Sequence, residues 1–286
     1  MSQVLSVVAV LAAAAGTAGA ERVTLYAQPS AFQQLRVEED RELRVRYLCN
    51  AACDFVHGEM ALDGPFTLRL DYMQSMLAGL AYLAREPRRM LFVGMGIGAM
   101  PRFLAARYVA ARLDVVEIDP AVPPLARRFF GFSRRANVAV HVADGRAFVE
   151  RAGALYDVIF VDACFGPAPP PQLATAEFAT ALRRRLAPGG VVAVNLAAPA
   201  LNPMFARIVA GYRTAFSTVD LLAAKNEANL IVIATAARPT PENVAGRGAA
   251  LTRRRAFGFD LAALAAQRVM WSVPAGTPAL HDSDLR

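Results

Sequence analysis

Four short motifs in the middle of the chain combine glycines and carboxylates, residue types that can contact a ligand and move a proton. Each motif follows an apolar run, as expected where parallel strands end at one edge of a sheet. Glycines let the backbone approach a ligand, and carboxylates accept hydrogen bonds from ribose hydroxyls and an adenine amino group. The motifs are the turn Gly94-x-Gly96-x-Gly98, Glu117, the pair Asp144-Gly145, and Asp162.

The spacing of these motifs suggests a role for each carboxylate. Glu117 lies roughly 20 residues beyond the glycine turn, where a carboxylate accepts both ribose hydroxyls; the alternative is a helix N-terminal charge. Asp144 could accept from adenine, or cap the helix that begins near Arg146. Asp162 ends the fourth strand beside the reactive end of the ligand, unless it caps a loop. Asp157, earlier in that strand, is interpreted as a strand-edge residue.

Alternating strands and helices would position these residues from Met90 onward. The pattern predicts a doubly wound α/β fold with a mostly parallel sheet and an antiparallel edge at its end. Predicted strands cover 90–93, 113–118, 138–143, 156–161, 191–196, 217–223 and 229–235, and predicted helices cover 99–108, 121–130, 146–152, 175–186 and 203–215.

Other elements flank this alternating region. Short strands between Val23 and Asn50 predict a small antiparallel β unit, and Tyr72–Arg85 has helical periodicity with methionines on its core face. Arg238–Arg253 is interpreted as a surface loop and Ala256–Arg268 as a last helix. The predicted units are a signal-like or anchor segment (1–20), an N-terminal β-hairpin unit (21–60), a nucleoside-binding Rossmann-like domain (61–240), and a C-terminal loop and helix (241–286).

Composition narrows the function classes. The 286 residues are 55% hydrophobic and 19% charged, with a net charge of +7 carried almost wholly by arginine, and Lys225 is the only lysine. The sequence shows no extended stripe in which basic and aromatic residues alternate, which argues against nucleic-acid binding. Three cysteines form no disulfide pattern, and Cys49 and Cys53 lack the further ligands of a zinc site. We therefore expect reduced thiols and no metal.

The first twenty residues leave the cellular location open. Val4–Ala15 is apolar, and Ala18-Gly19-Ala20 has the form of a signal-peptidase site, but no basic residue precedes the apolar stretch. Export, or a membrane tether through residues 1–20, is one interpretation. A cytoplasmic location is the other, because sulfonium nucleosides are cytosolic metabolites.

Together these motifs resemble the polyamine aminopropyltransferase (spermidine synthase-like) family, from about Ser30 to Ala237. Ser30-Ala31-Phe32-Gln33 looks like the opening of that family's N-terminal β unit. Further similarity lies in Leu91–Gly98, Val116–Pro120, Asp144–Arg146, Tyr156–Asp162, Leu173–Phe178 and Leu186–Gly190, with an echo at Leu280–Asp284. The resemblance implies a Rossmann fold of the class I S-adenosylmethionine-dependent methyltransferase type and a homodimer.

By that resemblance, Gln33, Glu117 and Asp144 hold the nucleoside, Asp162 is the base, and Tyr72 positions an amine acceptor. The co-substrate would be decarboxylated S-adenosylmethionine or S-adenosylmethionine. The reaction would be in-line displacement at a carbon on the sulfonium, with methylthioadenosine as leaving group. A base is needed because an amine is protonated at neutral pH and then has no lone pair.

The positions at which family members contact the polyamine carry different residues in this sequence. Ile97 and Phe165 stand where spermidine synthases have aspartates, and Met73 follows Tyr72 where they have glutamine. An unpaired ammonium in an apolar pocket costs several kcal/mol. These changes therefore suit a less charged acceptor, unless nearby acids take over. The candidates for that are Asp71, Glu59 and Asp282.

The same motifs are compatible with two other functions. One is a methyltransferase on the same fold, although Phe92 and Val93 stand where many such enzymes have an acid. A metal-dependent version is disfavoured, because the segment from Asp162 to Phe165 offers only one hard ligand. The other is a non-catalytic nucleoside-binding homologue.

Overall fold

Two β-sheets form the framework of the protein. The computed structural model describes residues 22–53, 55–151, 153–163, 168–225 and 229–285. The first sheet is an antiparallel meander in the order β1-β2-β3-β4. Its strands are β1 (Arg22–Pro29), β2 (Gln34–Asp40), β3 (Val45–Cys49) and β4 (Val56–Ala61). This is the predicted β unit, with a fourth strand that the sequence pattern did not reveal.

The second sheet has seven strands in the order β10-β11-β9-β8-β5-β6-β7. The five strands from β9 to β7 pair in parallel, and β11 and β10 add an antiparallel edge, which confirms the predicted α/β class. The strands are β5 (Arg89–Val93), β6 (Arg112–Glu117), β7 (Val138–Val142), β8 (Tyr156–Val161), β9 (Leu186–Ala197), β10 (Thr218–Ala223) and β11 (Asn229–Thr235). Strand order reverses between β5 and β8, so a ligand cleft is expected at their carboxyl ends.

Helices cover both faces of this sheet. The helix predicted over 72–85 is an α-helix only to Leu77 and continues as a 3₁₀ turn over Ala78–Tyr82. The α-helices are α1 (Asp71–Leu77), α2 (Ala99–Arg107), α3 (Val122–Phe129), α4 (Gly145–Glu150), α5 (Ala176–Arg185), α6 (Phe205–Ala215), α7 (Pro241–Arg255) and α8 (Leu261–Ala265). Short 3₁₀ turns also occur at Pro171–Leu173 and Asp282–Leu285.

Successive side chains of the central strand β5 point to opposite faces of the large sheet. The hydrophobic core accordingly has two layers, one on each face. Met90 and Phe92 of β5 pack on the side shared with α2, α7 and the small sheet, and Leu91 and Val93 pack on the side of α4, α5 and α6. The rings of Phe92 and Phe160 stack with centroids 4.9 Å apart. The small sheet shares one core layer with the large sheet, and it also reaches the carboxyl ends of the central strands, where His57 of β4 approaches Gly96 and Ser30 contacts Asp119.

The predicted surface loop over Arg238–Arg253 is wrong, because this segment forms α7. The Thr240 side chain accepts a hydrogen bond from Asn243 N and caps the helix, and Pro241 occupies the first turn, where its missing N–H costs nothing. The last helix is also shorter than predicted, since it covers only Leu261–Ala265. The predicted unit boundaries remain predictions.

The expectation of reduced thiols is also wrong for two cysteines, since Cys49 and Cys53 form a disulfide. It closes the connection from β3 towards β4, over a sequence separation of four residues. Their sulfur atoms and a carboxylate oxygen of Glu38 lie within 4.8 Å of one another, but bonded sulfurs are not thiolate metal ligands. The pairing therefore explains this cluster without a metal ion.

We expect reduction of this disulfide to lower the free energy of unfolding by about 2 kcal/mol, from the loop-closure entropy of so short a loop. Denaturant titration with and without reductant measures the change. Thiol counting under denaturing, non-reducing conditions should find one free thiol, Cys164. A Cys164→Ala variant is the control and should respond to reductant as the parent does. Three free thiols would contradict the pairing.

The predicted membrane tether lies in residues 1–20, outside the described residues. Within the described ranges, no helix has both the length and the hydropathy needed to cross a bilayer.

Candidate active site

A cleft opens at the carboxyl ends of β5, β6 and β8, with strands of the small sheet on one side. The structure brings eight of the nine predicted site residues together in its lining, and Gly98 is the exception. The eight are Gln33, Tyr72, Gly94, Gly96, Glu117, Asp144, Gly145 and Asp162. The roles assigned to these eight residues are still predictions, but the structure shows that all eight line the same cleft.

The glycine turn has a backbone that other residues rarely adopt. Gly94, Gly96 and Gly98 have φ angles of 95°, 50° and 74°. A side chain at Gly94 would collide with the carbonyl oxygen of Asp162, and one at Gly96 would come within 2.8 Å of His57 O. Gly98 caps the start of α2 against the ring of Phe132. Gly98 therefore shapes the turn, and Gly94 and Gly96 border the cleft.

We expect Gly94→Ala to destabilise the protein by at least about 2 kcal/mol, because it combines a positive φ with a backbone collision. Nucleoside affinity should fall with it. The matched control is Gly246→Ala in α7, where an added Cβ meets nothing within 4 Å. That change should stabilise the protein by about 0.5–1 kcal/mol, and thermal unfolding distinguishes the two. Equal effects of the two changes would contradict the described turn.

Glu117 ends β6 and holds the backbone of the turn. Its Oε2 accepts from Met95 N at 3.0 Å, and its Oε1 accepts from Asp119 N at 3.0 Å. Burial raises the pKa of this carboxyl, and the two N–H donors act in the opposite direction. Each carboxylate oxygen keeps a lone pair after these bonds. A carboxylate fixed in this way can accept hydrogen bonds from a ligand without reorganising.

Asp144 performs the capping role that the sequence left open. Its Oδ1 accepts from Ala147 N at 2.8 Å at the start of α4. Within the described residues its Oδ2 has no hydrogen bond, so the same carboxylate can also meet a ligand amino group. Gly145 follows it because a side chain there would press on Val93 Cγ1 at 2.6 Å.

Ser30 connects the small sheet to the cleft, a link that sequence reasoning missed. Its Oγ lies 2.5 Å from Asp119 Oδ2 and accepts from Gln33 N at 3.0 Å. Asp119 also accepts from Ala121 N at 2.9 Å. Gln33 is thereby held at the rim beside the turn that follows Glu117. The sequence motif around Ser30 does not reveal this link, because the partner Asp119 lies 89 residues away along the chain.

Asp162 lines the cleft where β8 ends. Its Oδ2 accepts from the Tyr72 hydroxyl at 3.2 Å, and its Oδ1 accepts from Asn195 Nδ2 at 2.9 Å. Asn229 in turn donates to Asn195 Oδ1 at 2.8 Å, which fixes the orientation of the Asn195 amide. Burial raises the pKa of Asp162, and its two donors lower it by a smaller amount. A raised pKa is what a proton acceptor near neutrality requires.

The acids that could replace the missing aspartates are engaged elsewhere or lie outside the cleft. Glu59 pairs with Arg69 at 2.9 Å, and Asp282 pairs with Arg146 at 2.7 Å. Asp71 is not part of the cleft lining. Ile97, in contrast, lies in the lining and packs on Gly58. Phe165, the other altered position, lies outside the described residues.

His57 is a second cleft residue that sequence reasoning did not single out. It lines the cleft from β4, and its ring meets Phe55 edge-on with centroids 5.1 Å apart. Its Nε2 is buried and makes no hydrogen bond within the described chain. Burial lowers the pKa of the imidazole, so the ring is neutral at physiological pH.

Sequence comparison identifies relatives of two kinds. Residues 70–225 match the family model described as the spermine/spermidine synthase domain. The polyamine aminopropyltransferase of Vibrio vulnificus (strain CMCP6) is 39% identical over 127 residues, which cover 43% of this chain and 42% of that protein. The eEF1A lysine and N-terminal methyltransferase of Homo sapiens is 30% identical over 180 residues, covering 57% and 26%. The matched part thus spans less than half the length of either relative.

Solved structures show the same fold. A probable spermidine synthase from Corynebacterium glutamicum ATCC 13032 has a TM-score of 0.71 and 23% identity, covering 90% of this chain and 96% of that one. Human methyltransferase-like protein 13, solved in complex with SAH, has a TM-score of 0.60 and 25% identity, covering 76% and 99%.

Proposed function

Because this chain belongs to the spermine/spermidine synthase family, whose domain covers residues 70–225, we propose that it is a transferase acting on a sulfonium nucleoside. The preferred reaction is aminopropyl transfer from decarboxylated S-adenosylmethionine to an amine acceptor. The observation that carries this proposal is Asp162, a partly buried carboxylate that accepts hydrogen bonds from Tyr72 and Asn195 and lines the same cleft as Glu117. No step requires a metal ion. The homodimer implied by the family resemblance stays a prediction.

The geometry supports a direct displacement. Glu117 and Asp144 hold the ribose and adenine, and the sulfonium end of the donor then points towards Asp162. Asp162 accepts a proton from the ammonium of the acceptor, and the freed lone pair attacks the carbon bonded to sulfur. The carbon–sulfur bond breaks, its electron pair returns to sulfur, and methylthioadenosine leaves as a neutral thioether.

The cleft favours an acceptor with few positive charges. Four carboxylates line it within the described residues: Glu117, Asp119, Asp144 and Asp162. The first three are engaged by backbone N–H groups around the nucleoside, which leaves Asp162 for the reacting amine. Met73 and Ile97 make the neighbouring wall apolar. A second ammonium would find no counter-charge there and would weaken binding.

Methyl transfer from S-adenosylmethionine is the second candidate. It is favoured by the similarity to a human methyltransferase, and by Ile97, which removes an acid that would repel the carboxylate of the intact donor. Calorimetric titration of the full chain with S-adenosylmethionine, its decarboxylated form and methylthioadenosine tests both. Preference for the decarboxylated form, followed by aminopropylated product from an amine panel, supports the first function. Preference for the intact form supports the second, and binding of none overturns both.

We expect Asn195→Ala to lower kcat about tenfold and to move the acidic limb of the pH–kcat profile to higher pH. The physical reason is the loss of a donor to the charged carboxylate, which raises the pKa of Asp162 further. Asn229→Ala should shift the limb in the same direction by less, because it only frees the Asn195 amide to rotate.

The control for this pair is Asn243→Ala on the exposed surface of α7. Its profile should match that of the parent. If the limb stays in place in Asn195→Ala, the amide pair has no part in setting the protonation of Asp162.

A further inference from the structure

A second groove lies against the edge strand β7. Its walls are Arg127 of α3, the loop residues Phe132–Arg135, and Val138 and Val140 of β7. Phe132 lies between this groove and the nucleoside cleft, because its ring also packs on Gly98 of the glycine turn. None of the described residues lining the groove is acidic. The groove is therefore distinct from the nucleoside cleft, and every charged side chain in its lining is positive.

The three guanidinium groups of this groove lack partners. Within the described residues, Arg127, Arg134 and Arg135 make no hydrogen bond or ion pair through their side chains. The Nε of Arg135 is buried without any acceptor. Elsewhere on the surface some arginines pair with carboxylates, as Arg146 and Arg207 do, and others do not, so the grouping of three unpaired guanidinium groups is what distinguishes this groove. A buried donor that has lost water and gained no partner costs free energy, so the groove is suited to receive an acceptor.

A fourth guanidinium increases the positive potential. Arg102 is only 3% exposed and donates to the carbonyl oxygens of Pro65 and Phe130. It has no carboxylate partner within the described chain. Burial lowers its pKa, and the charge of Arg135 lowers it further, so the two side chains repel each other. An anion held by Arg135 would offset that repulsion.

We propose that this groove binds a phosphate-type oxyanion, either inorganic phosphate or the phosphomonoester group of a small molecule. The planar fork of a guanidinium matches two oxygens of such an anion, and the lining of the groove offers three guanidinium groups and the Ser133 hydroxyl as donors. Val138 and Val140 provide an apolar wall for the rest of an ester. The site does not depend on the function proposed above.

Calorimetric titration of the full chain with inorganic phosphate and with glycerol phosphate, at constant ionic strength in chloride, tests the proposal. We expect saturable binding that weakens at least tenfold in Arg135→Gln and in Arg134→Gln, whose side chain is exposed. Tighter binding of the ester than of the free ion would identify a small phosphorylated molecule as the ligand, and equal binding would identify the ion itself.

The matched control is Arg128→Gln, which removes the same charge next to Arg127 but from a side chain stacked on Phe129 outside the groove. It should bind phosphate as the parent does. Absence of saturable binding in the parent, or an equal loss in Arg128→Gln, overturns the proposal. Thermal unfolding of each variant distinguishes loss of the site from loss of the fold, and Arg134→Gln decides the result if Arg135→Gln unfolds.

Discussion

Asp162→Asn is expected to lower kcat by about 10²–10⁴-fold while nucleoside affinity changes little. The asparagine keeps the shape of the side chain but cannot accept the proton of the ammonium. Steady-state kinetics with the acceptor found by product analysis gives kcat, and titration with methylthioadenosine gives the affinity. Unchanged turnover would exclude Asp162 as the base, and an equal loss of nucleoside binding would show that its role is structural.

The control for this variant lies at the other end of the same strand. Asp157 accepts from Arg88 N at 2.7 Å and from Arg89 N at 3.0 Å, and it lies away from the cleft. Asp157→Asn should lower the free energy of unfolding and leave kcat nearly unchanged. For Asp162→Asn we expect the reverse, a large loss of kcat without a loss of stability.

The stability of Asp162→Asn follows from the sign of the pKa shift. Burial raises the pKa of Asp162 in the folded state, so its ionised form is less stable in the fold than in the unfolded chain. The cost is absent below the unfolded pKa of about 3.9 and grows as pH rises through the raised folded value. We therefore expect Asp162→Asn to unfold at a higher temperature than the parent at neutral pH, with the difference vanishing in acid.

Glu117→Gln is expected to weaken nucleoside binding by about 100-fold or more, equivalent to about 2.7 kcal/mol. Two ligand hydroxyls would lose a charged acceptor, and each such bond contributes about 1.5–3 kcal/mol. The new amide would also point N–H groups at Met95 N or Asp119 N, which now donate to the carboxylate. Calorimetric titration with methylthioadenosine measures the loss.

The pH dependence of the parent gives an independent check on Glu117. Because burial raises its pKa, protonation should weaken nucleoside binding at a pH above the ordinary range of a glutamate. The Glu117→Gln variant should lose this dependence. The exposed Glu42→Gln is the control and should match the parent in both affinity and pH dependence. Retained affinity in Glu117→Gln would place the ribose elsewhere.

The parallel strands of the core could be predicted from the sequence because each of them ends in a distinctive residue. Buried runs followed by glycine or a carboxylate identify strand ends at one edge, so Gly94, Glu117, Asp144 and Asp162 could be expected together. The pair of residues that orients the Asp162 side chain was harder to predict from the sequence. Asn195 and Asn229 meet across antiparallel strands 34 residues apart, and a single sequence carries no record of that register.

The two wrong predictions have local physical reasons. α7 contains Pro241, Gly246 and Gly248, which lowered its helical pattern, although Thr240 followed by proline is a helix-start signal. Gly248 is needed because a side chain would come within 2.8 Å of Ala262 N in the adjoining helix α8. The odd cysteine count argued against a disulfide, and only the fold shows Cys49 and Cys53 beside one another.

Gly94 packs against the carbonyl group of Asp162, so the glycine turn and the end of β8 are rigidly connected. Val93 and Asp162 are also joined through a backbone hydrogen bond of 2.9 Å, so neither segment can shift alone. Close-packed interiors transmit displacement because they contain no slack. We therefore expect a ligand that displaces the glycine turn to displace the end of β8 as well, and with it the carboxylate of Asp162 that we propose as the base.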